Sequence, residues 1–411
     1  MASIIFIGTY KPILCGIADY TGFLTRSSPA GKWGVLSFNP VSYGAALSTD
    51  KISPTERIWH GIPGHNEYSA SVILEGIEKL KAEQEDKVLW FQHETAIWAD
   101  NRKLVDMLKA LEIPKVVSFH TLHFQSDETP SGLRKYQYEM LLDLLPHVEA
   151  ITVFSRGVYK AVTSAFPEYK GKVHIIRHGI HSFPETQSSG RPEARQKLNN
   201  FLLNESELSP AMKEVLRSQQ IFVRPDVLMG QTGFLCPLKN SESLFYARDE
   251  LHKLIPQKEI IAGRIGGPRE ESHLAYAEEL RKVQNGRDKF LLEVALPQSM
   301  LPVAQRAFDI NFYWPSECTQ SGIIAHALGA GGVIAGRDME GSGEILKDAG
   351  QLTDTDLQQL IDKIQNLILN PDKRKKLHKD AMRYAAKYSW ENQVKKHYEL
   401  AESLLGKKPF E

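Results

Sequence analysis

Three cysteines in 411 residues, Cys15, Cys236 and Cys318, are too few and too scattered for a disulfide framework, and no two stand at metal-ligand spacing. Such usage fits a reducing compartment, so a cytoplasmic location is expected. Net charge is missing as well. Lys plus Arg and Asp plus Glu number 50 each, so no global field steers the chain toward nucleic acid or an anionic membrane. The first eight residues, Met-Ala-Ser-Ile-Ile-Phe-Ile-Gly, lack the basic start and long apolar centre of a signal peptide and read as a buried strand. The longest apolar stretch, residues 321–336, contains His326 and several glycines and is too short to span a bilayer. Neither the G-x-G-x-x-G fingerprint nor the Walker pattern occurs, which disfavours a nicotinamide enzyme in particular. Internal repeats and low-complexity tracts are also absent.

What is present is alternation. Short apolar runs at residues 4–7, 88–92, 115–119, 150–154 and 173–176 read as strands buried on both faces, with helical patterns between them. Further strands are predicted at 227–233, 259–262, 290–294, 310–314 and 333–335. This is the βαβ pattern of parallel sheets, and the length suits two domains. The fold class expected is α/β, with two Rossmann-like doubly wound domains facing across a cleft. The Pro, Ser, Gly and Glu-rich segment 182–191 reads as the interdomain linker. The expected division is therefore an N-terminal domain 1–182, a second domain 183–390, and a C-terminal helix 391–411 packing back on the first. Residues 355–369 form an amphipathic helix with one apolar stripe, and the basic run 372–380 reads as a solvated helix face, with peripheral membrane contact as the other reading.

In doubly wound sheets, ligands bind beyond the carboxyl ends of the strands. The loops there hold the candidate residues. Gly16 opens a helix after the first strand and would expose backbone N–H groups to an anion, although a tight turn without ligand gives the same pattern. His93 with Glu94, His120 with His123, and His178 with His181 follow later strands. Zinc is not indicated, because residues three apart on a strand face opposite ways, so His120 and His123 do not chelate together without a bend. His120 is read as a polar ligand contact or as a structural histidine. Lys239, after a strand of the second half, could place a point charge on a diphosphate. In the strand–loop–helix unit 314–328, Ser321 and Gly322 would offer N–H donors to phosphate, and Glu317 would accept from sugar hydroxyls or else cap the helix.

Taken in order, these motifs resemble the retaining GT-B glycosyltransferases of family four over essentially the whole chain. Gly8-Thr9-Tyr10 with Cys15-Gly16-Ile17-Ala18, Gln92-His93-Glu94 and Phe119-His120-Thr121 are similar to its N-terminal signatures, in a bacterial-type branch. Arg177-His178-Gly179-Ile180, Pro315-Ser316-Glu317 with Gln320-Ser321-Gly322, and Tyr388-Ser389-Trp390-Glu391 resemble the later ones. Two positions depart. Phe234 stands where the family has an arginine beside Lys239, and His326 stands where it has a second glutamate.

The resemblance implies a hexosyl-type transfer from a nucleotide-sugar donor, such as a UDP- or GDP-sugar, to an acceptor hydroxyl that the sequence does not identify. It implies His120, Lys239 and Glu317 as catalytic. It implies Gly16, Lys239, Glu317, Ser321, Gly322, His326 and Val294 around the donor, and Asp19, His93 and Glu94 on the acceptor side. No metal and no cofactor are implied, the nucleotide-sugar being a substrate. A nucleic acid is not indicated, although a modified-base acceptor stays open. The rival readings are a GT-B sugar phosphorylase, a nucleotide-sugar epimerase, and a non-catalytic sugar-nucleotide-binding protein.

Overall fold

Ile4 and Phe6 face one way along the first strand, and Ile5 and Ile7 the other, yet all four are fully buried. A strand can be apolar on both sides only if helices cover both faces of its sheet. The computed structural model has this arrangement twice, and it describes residues 1–44, 47, 56–268, 270–407 and 410. Parts of the expected C-terminal segment, residues 408–409 and 411, lie outside the described residues.

The chain divides into two units, Met1–Gly179 with Trp390–Glu411, and Ile180–Ser389. The first holds β1 (Ser3–Gly8), β2 (Trp33–Phe38), β3 (Ile58–Ile62), β4 (Lys87–His93), β5 (Lys115–Phe119), β6 (Ala150–Val153) and β7 (Val173–Ile175), in the order β3-β2-β1-β4-β5-β6-β7. The second holds β8 (Val227–Thr232), β9 (Ile260–Ile265), β10 (Lys289–Leu292), β11 (Ile310–Tyr313), β12 (Ile334–Arg337) and β13 (Leu352–Asp354), in the order β10-β9-β8-β11-β12-β13. All pairings are parallel, with helices between successive strands, so each unit is a Rossmann-like domain. Strand order reverses between β1 and β4 in the first unit and between β8 and β11 in the second. The loops after those four strands flank the two crevices where this topology places ligands.

The final helix, Trp390–Leu404, belongs to the first unit and packs with Ile4, Phe6 and Trp90. Trp390 covers Gly179 so closely that a Cβ there would come within 2.3 Å of its ring. The segment read as a linker is different from expectation. Pro184–Ser188 and Arg191–Asn204 are helices of the second unit. Its polar composition reflects polar fastening: Gln187 Nε2 donates to the Gly329 carbonyl at 2.7 Å, and Arg191 pairs with Asp309 at 3.4 Å. Among the described residues no helix is long and apolar enough to cross a membrane.

Candidate functional site

In the second unit, the crevice between β8 and β11 is built by two turns. The chain leaves β8 through Gly233 (φ 101°) and leaves β9 through Gly266 (φ 145°), both in backbone regions that favour glycine. The two turns touch: a Cβ on Gly266 would lie 1.9 Å from the Gly233 carbonyl oxygen. Gly266→Ala is expected to force them apart at a cost of about 1–3 kcal/mol. Thermal unfolding checks this, and a variant melting with the wild type would show that the turns are not locked together.

Beyond Gly233 the chain makes a short turn at Pro237–Lys239, which brings the Lys239 ammonium back over the glycine. A Cβ built on Gly233 would lie 3.1 Å from Lys239 Nζ and 3.1 Å from Ile323 Cδ1. Lys239 therefore stands beside the start of the eight-residue helix Gly322–Gly329. Ser321 caps that helix, its hydroxyl accepting from the Ile324 N–H at 3.4 Å. The capping role considered for Glu317 thus belongs to Ser321, and the Glu317 side chain is exposed on the loop before it. Gly322 is exposed too. The loop is fastened on both sides. Ser316 N–H donates to the Leu238 carbonyl at 2.9 Å, and Arg337 Nη1 donates to the Pro315 carbonyl at 3.0 Å, with its guanidinium 5.6 Å from the Trp314 ring. A cation, a helix N-terminus and exposed main chain at one switch point would together suit an anion.

Two residues expected on the donor side are held by contacts within their own unit. Val294 is a core residue, 7% exposed and packed with Phe290 and Leu292, because the chain turns inward after β10. Glu293 beside it is engaged by Arg281 through two hydrogen bonds of 2.7 Å. His326 lies in the helix Gly322–Gly329 and stacks on His181 at 4.5 Å, with Phe183 next at 5.9 Å. Burial pushes its pKa down to about 4, so the ring is neutral at physiological pH.

In the first unit, Gly16 and Asp19 lie in the first turn of the helix Gly16–Ser27 and are exposed; Cys15 caps it, its Sγ accepting from the Ala18 N–H at 3.3 Å. His93 and His120 sit side by side where β4 and β5 end, the His120 N–H donating to the His93 carbonyl at 3.0 Å. Both are buried. His120 Nε2 meets Gln92 Oε1 at 2.8 Å, which places the ring proton on Nε2, and its ring meets Tyr20 edge-on at 4.7 Å. His93 packs against Phe119 at 4.8 Å, and its two ring nitrogens have no hydrogen-bond partner among the described residues. The Tyr20 hydroxyl and Gln92 Nε2 are likewise buried without one. Burial lowers His93 to about 4 and His120 to about 3, the latter helped by His178 and His93 nearby. Glu94 accepts from the Thr121 hydroxyl at 2.5 Å and from the Thr95 N–H at 3.1 Å, and burial raises its pKa. Neutral imidazoles and an amide suit a neutral hydroxyl-rich ligand, whereas Lys239 and its helix suit an anion.

Tyr20 escaped sequence reasoning because a helical tyrosine carries no local signal, and Gln92 entered it only as a member of the Gln92-His93-Glu94 motif. Arg264 is a charge inside the apolar run Ile-Ile-Ala-Gly-Arg-Ile of β9, a signal from which a sequence reading could start. Among the described residues no cluster of His, Cys, Asp or Glu is arranged to hold a metal ion.

No family model matches the chain, and no curated protein matches it. Solved structures do. The chain is similar to HepE of Anabaena in complex with UDP and glucose, at 14% identity and a TM-score of 0.66 over 98% of this chain and 100% of that one. It is similar to a sucrose-phosphate synthase of Thermosynechococcus elongatus, at 14% identity and a TM-score of 0.69 over 99% and 100%. A UDP-forming α,α-trehalose-phosphate synthase of Burkholderia xenovorans gives 13% identity and a TM-score of 0.65 over 98% and 100%. At such identities the likeness is one of fold.

Proposed function

We propose that this chain is a GT-B glycosyltransferase that moves a sugar, most simply a hexose, from a UDP- or GDP-sugar to an acceptor hydroxyl with retention of configuration. The observation that carries the reading is the meeting of Lys239, Gly233 and the Gly322 helix start at the β8/β11 switch point. The structural likeness to HepE in complex with UDP and glucose supports a nucleotide-sugar ligand.

In this reading Lys239 and the N–H groups at Ser321 and Gly322 take the donor diphosphate, and Glu317 takes sugar hydroxyls. Gly16 would present N–H donors of its own in the first unit, and His326 is assigned to the nucleotide. Asp19, His93 and Glu94 serve the acceptor, with His120 beside them. The bond from the anomeric carbon to the diphosphate oxygen breaks as the acceptor oxygen bonds to that carbon on the same face. The acceptor proton passes to the departing diphosphate. The protein supplies position and charge stabilisation rather than a nucleophile. A cytoplasmic site of action follows from the cysteine usage.

UDP-glucose and GDP-mannose, each with EDTA present, test the reading. Donor hydrolysis should be measurable, the transferred sugar should keep the donor's anomeric configuration, and Glu317→Gln should cut turnover about tenfold or more while nucleoside diphosphate still binds. An inverted product or magnesium-dependent turnover defeats the mechanism. A requirement for inorganic phosphate identifies a phosphorylase, interconversion of the donor alone identifies an epimerase, and binding without turnover identifies a carrier.

A further inference from the structure

Arg264 is fully buried on β9. Among other arginines set into its unit, less buried Arg306 meets the Ser189 carbonyl and His378, while Arg248 pairs with Asp288 at 2.7 Å and Arg191 and Arg195 pair with Asp309. Arg264 has carbonyls instead. Its Nη1 donates to Gln231 at 3.3 Å and to Ile265 at 2.6 Å, its Nη2 donates to Phe234 at 2.9 Å, and its Nε donates to the Ser241 hydroxyl at 3.0 Å. Among the described residues no carboxylate forms an ion pair with it. Glu242 is two steps away and accepts from Tyr276, whose hydroxyl in turn accepts from the Ser241 N–H. Burial lowers its pKa only to about 10, so the group stays charged.

A buried cation without a counter-charge is costly. This one stands under the turn that carries the second cation. Its Nη1 is 3.0 Å from the position of a Gly266 Cβ, which would itself collide with the Gly233 carbonyl, and Lys239 Nζ lies against the Gly233 Cβ position. Two like charges thus flank one glycine turn, an arrangement that folding disfavours and a polyanionic ligand favours.

We infer that Arg264 is a positioning residue for the anion site: it holds the Gly233 turn in place and lends its charge to a diphosphate bound at Lys239, which is the counter-anion it lacks. The inference rests on the donor-site reading above. It differs from a purely structural staple in that charged ligands should feel Arg264 and neutral ones should not.

Isothermal titration of the full chain with UDP, inorganic pyrophosphate and uridine decides the matter. Arg264→Gln is expected to weaken UDP and pyrophosphate by about tenfold or more while uridine binds as before. Arg264→Lys, which keeps the charge, should stay within about threefold of wild type for pyrophosphate. Equal losses for uridine and UDP, or unchanged UDP affinity in folded Arg264→Gln, overturn the inference. Should Arg264→Gln not fold, Arg264→Lys carries the test, and a tenfold pyrophosphate loss there overturns it. A wild type that binds neither UDP, GDP nor pyrophosphate would refute the donor-site reading itself.

Discussion

Acidification from about pH 7 to about pH 5 is expected to destabilise the N-terminal unit strongly, because three histidines are buried there in the neutral form. Burial lowers His93 and His397 to about 4 and His120 to about 3. An unfolded histidine takes up its proton near pH 6.5, so between that value and the folded pKa the unfolded chain binds more protons. Stability is then fully present above about pH 6.5 and is lost as the pH falls toward 4, at about 1.4 kcal/mol per histidine per pH unit. Three such groups remove about 4 kcal/mol per pH unit, against a typical total of about 5–15 kcal/mol. Chemical denaturation followed across this range checks the expectation. A midpoint unchanged between pH 7 and pH 5 would mean that these rings are already solvated or protonated in the native protein.

Lys239→Ala is expected to weaken nucleoside diphosphate binding by about tenfold to a hundredfold, since one charge-assisted contact to phosphate is worth about 1.5–3 kcal/mol. Melting temperature should change little, because Lys239 is half-buried on a surface turn whose shape rests on glycine backbone and on the main-chain bond from Ser316 to Leu238. UDP titration of the folded variant, run beside a thermal melt, separates the two quantities. Wild-type affinity in this variant would remove Lys239 from the anion site. Loss of affinity together with a large drop in melting temperature would make it a residue of the fold instead.

Apolar periodicity and the placement of polar loops after strands were legible in the sequence. Residues 115–119 read as a buried strand and are β5, and the apolar stripe read within 355–369 is the helix Leu357–Leu369, with Leu360, Ile361, Ile364 and Leu367 buried. Two strands of the first sheet were not legible. β2 contains Gly34, and half-buried β3 contains Gly61, so neither shows the continuous apolar run that marks a central strand. The segment around 184–188 was misread for a related reason. Its helix is held by Pro184 at the first position and by contacts such as Gln187 to Gly329, and composition reports neither.

By itself the sequence determined the class of the protein: two alternating α/β domains, with histidines in the first and a lysine and a glycine-started helix in the second, all at strand ends. Local pattern suffices there, because helix and strand periods and turn residues are properties of a few neighbouring positions. Only the tertiary structure decided which of those residues meet. It seated Lys239 over Gly233 beside the Gly322 helix, turned Val294 into the core, stacked His326 on His181, and set Arg264 beneath the anion turn without an acid. These outcomes depend on strand order, which brings β11 beside β8 across more than seventy residues, and no local propensity encodes a pairing of that range.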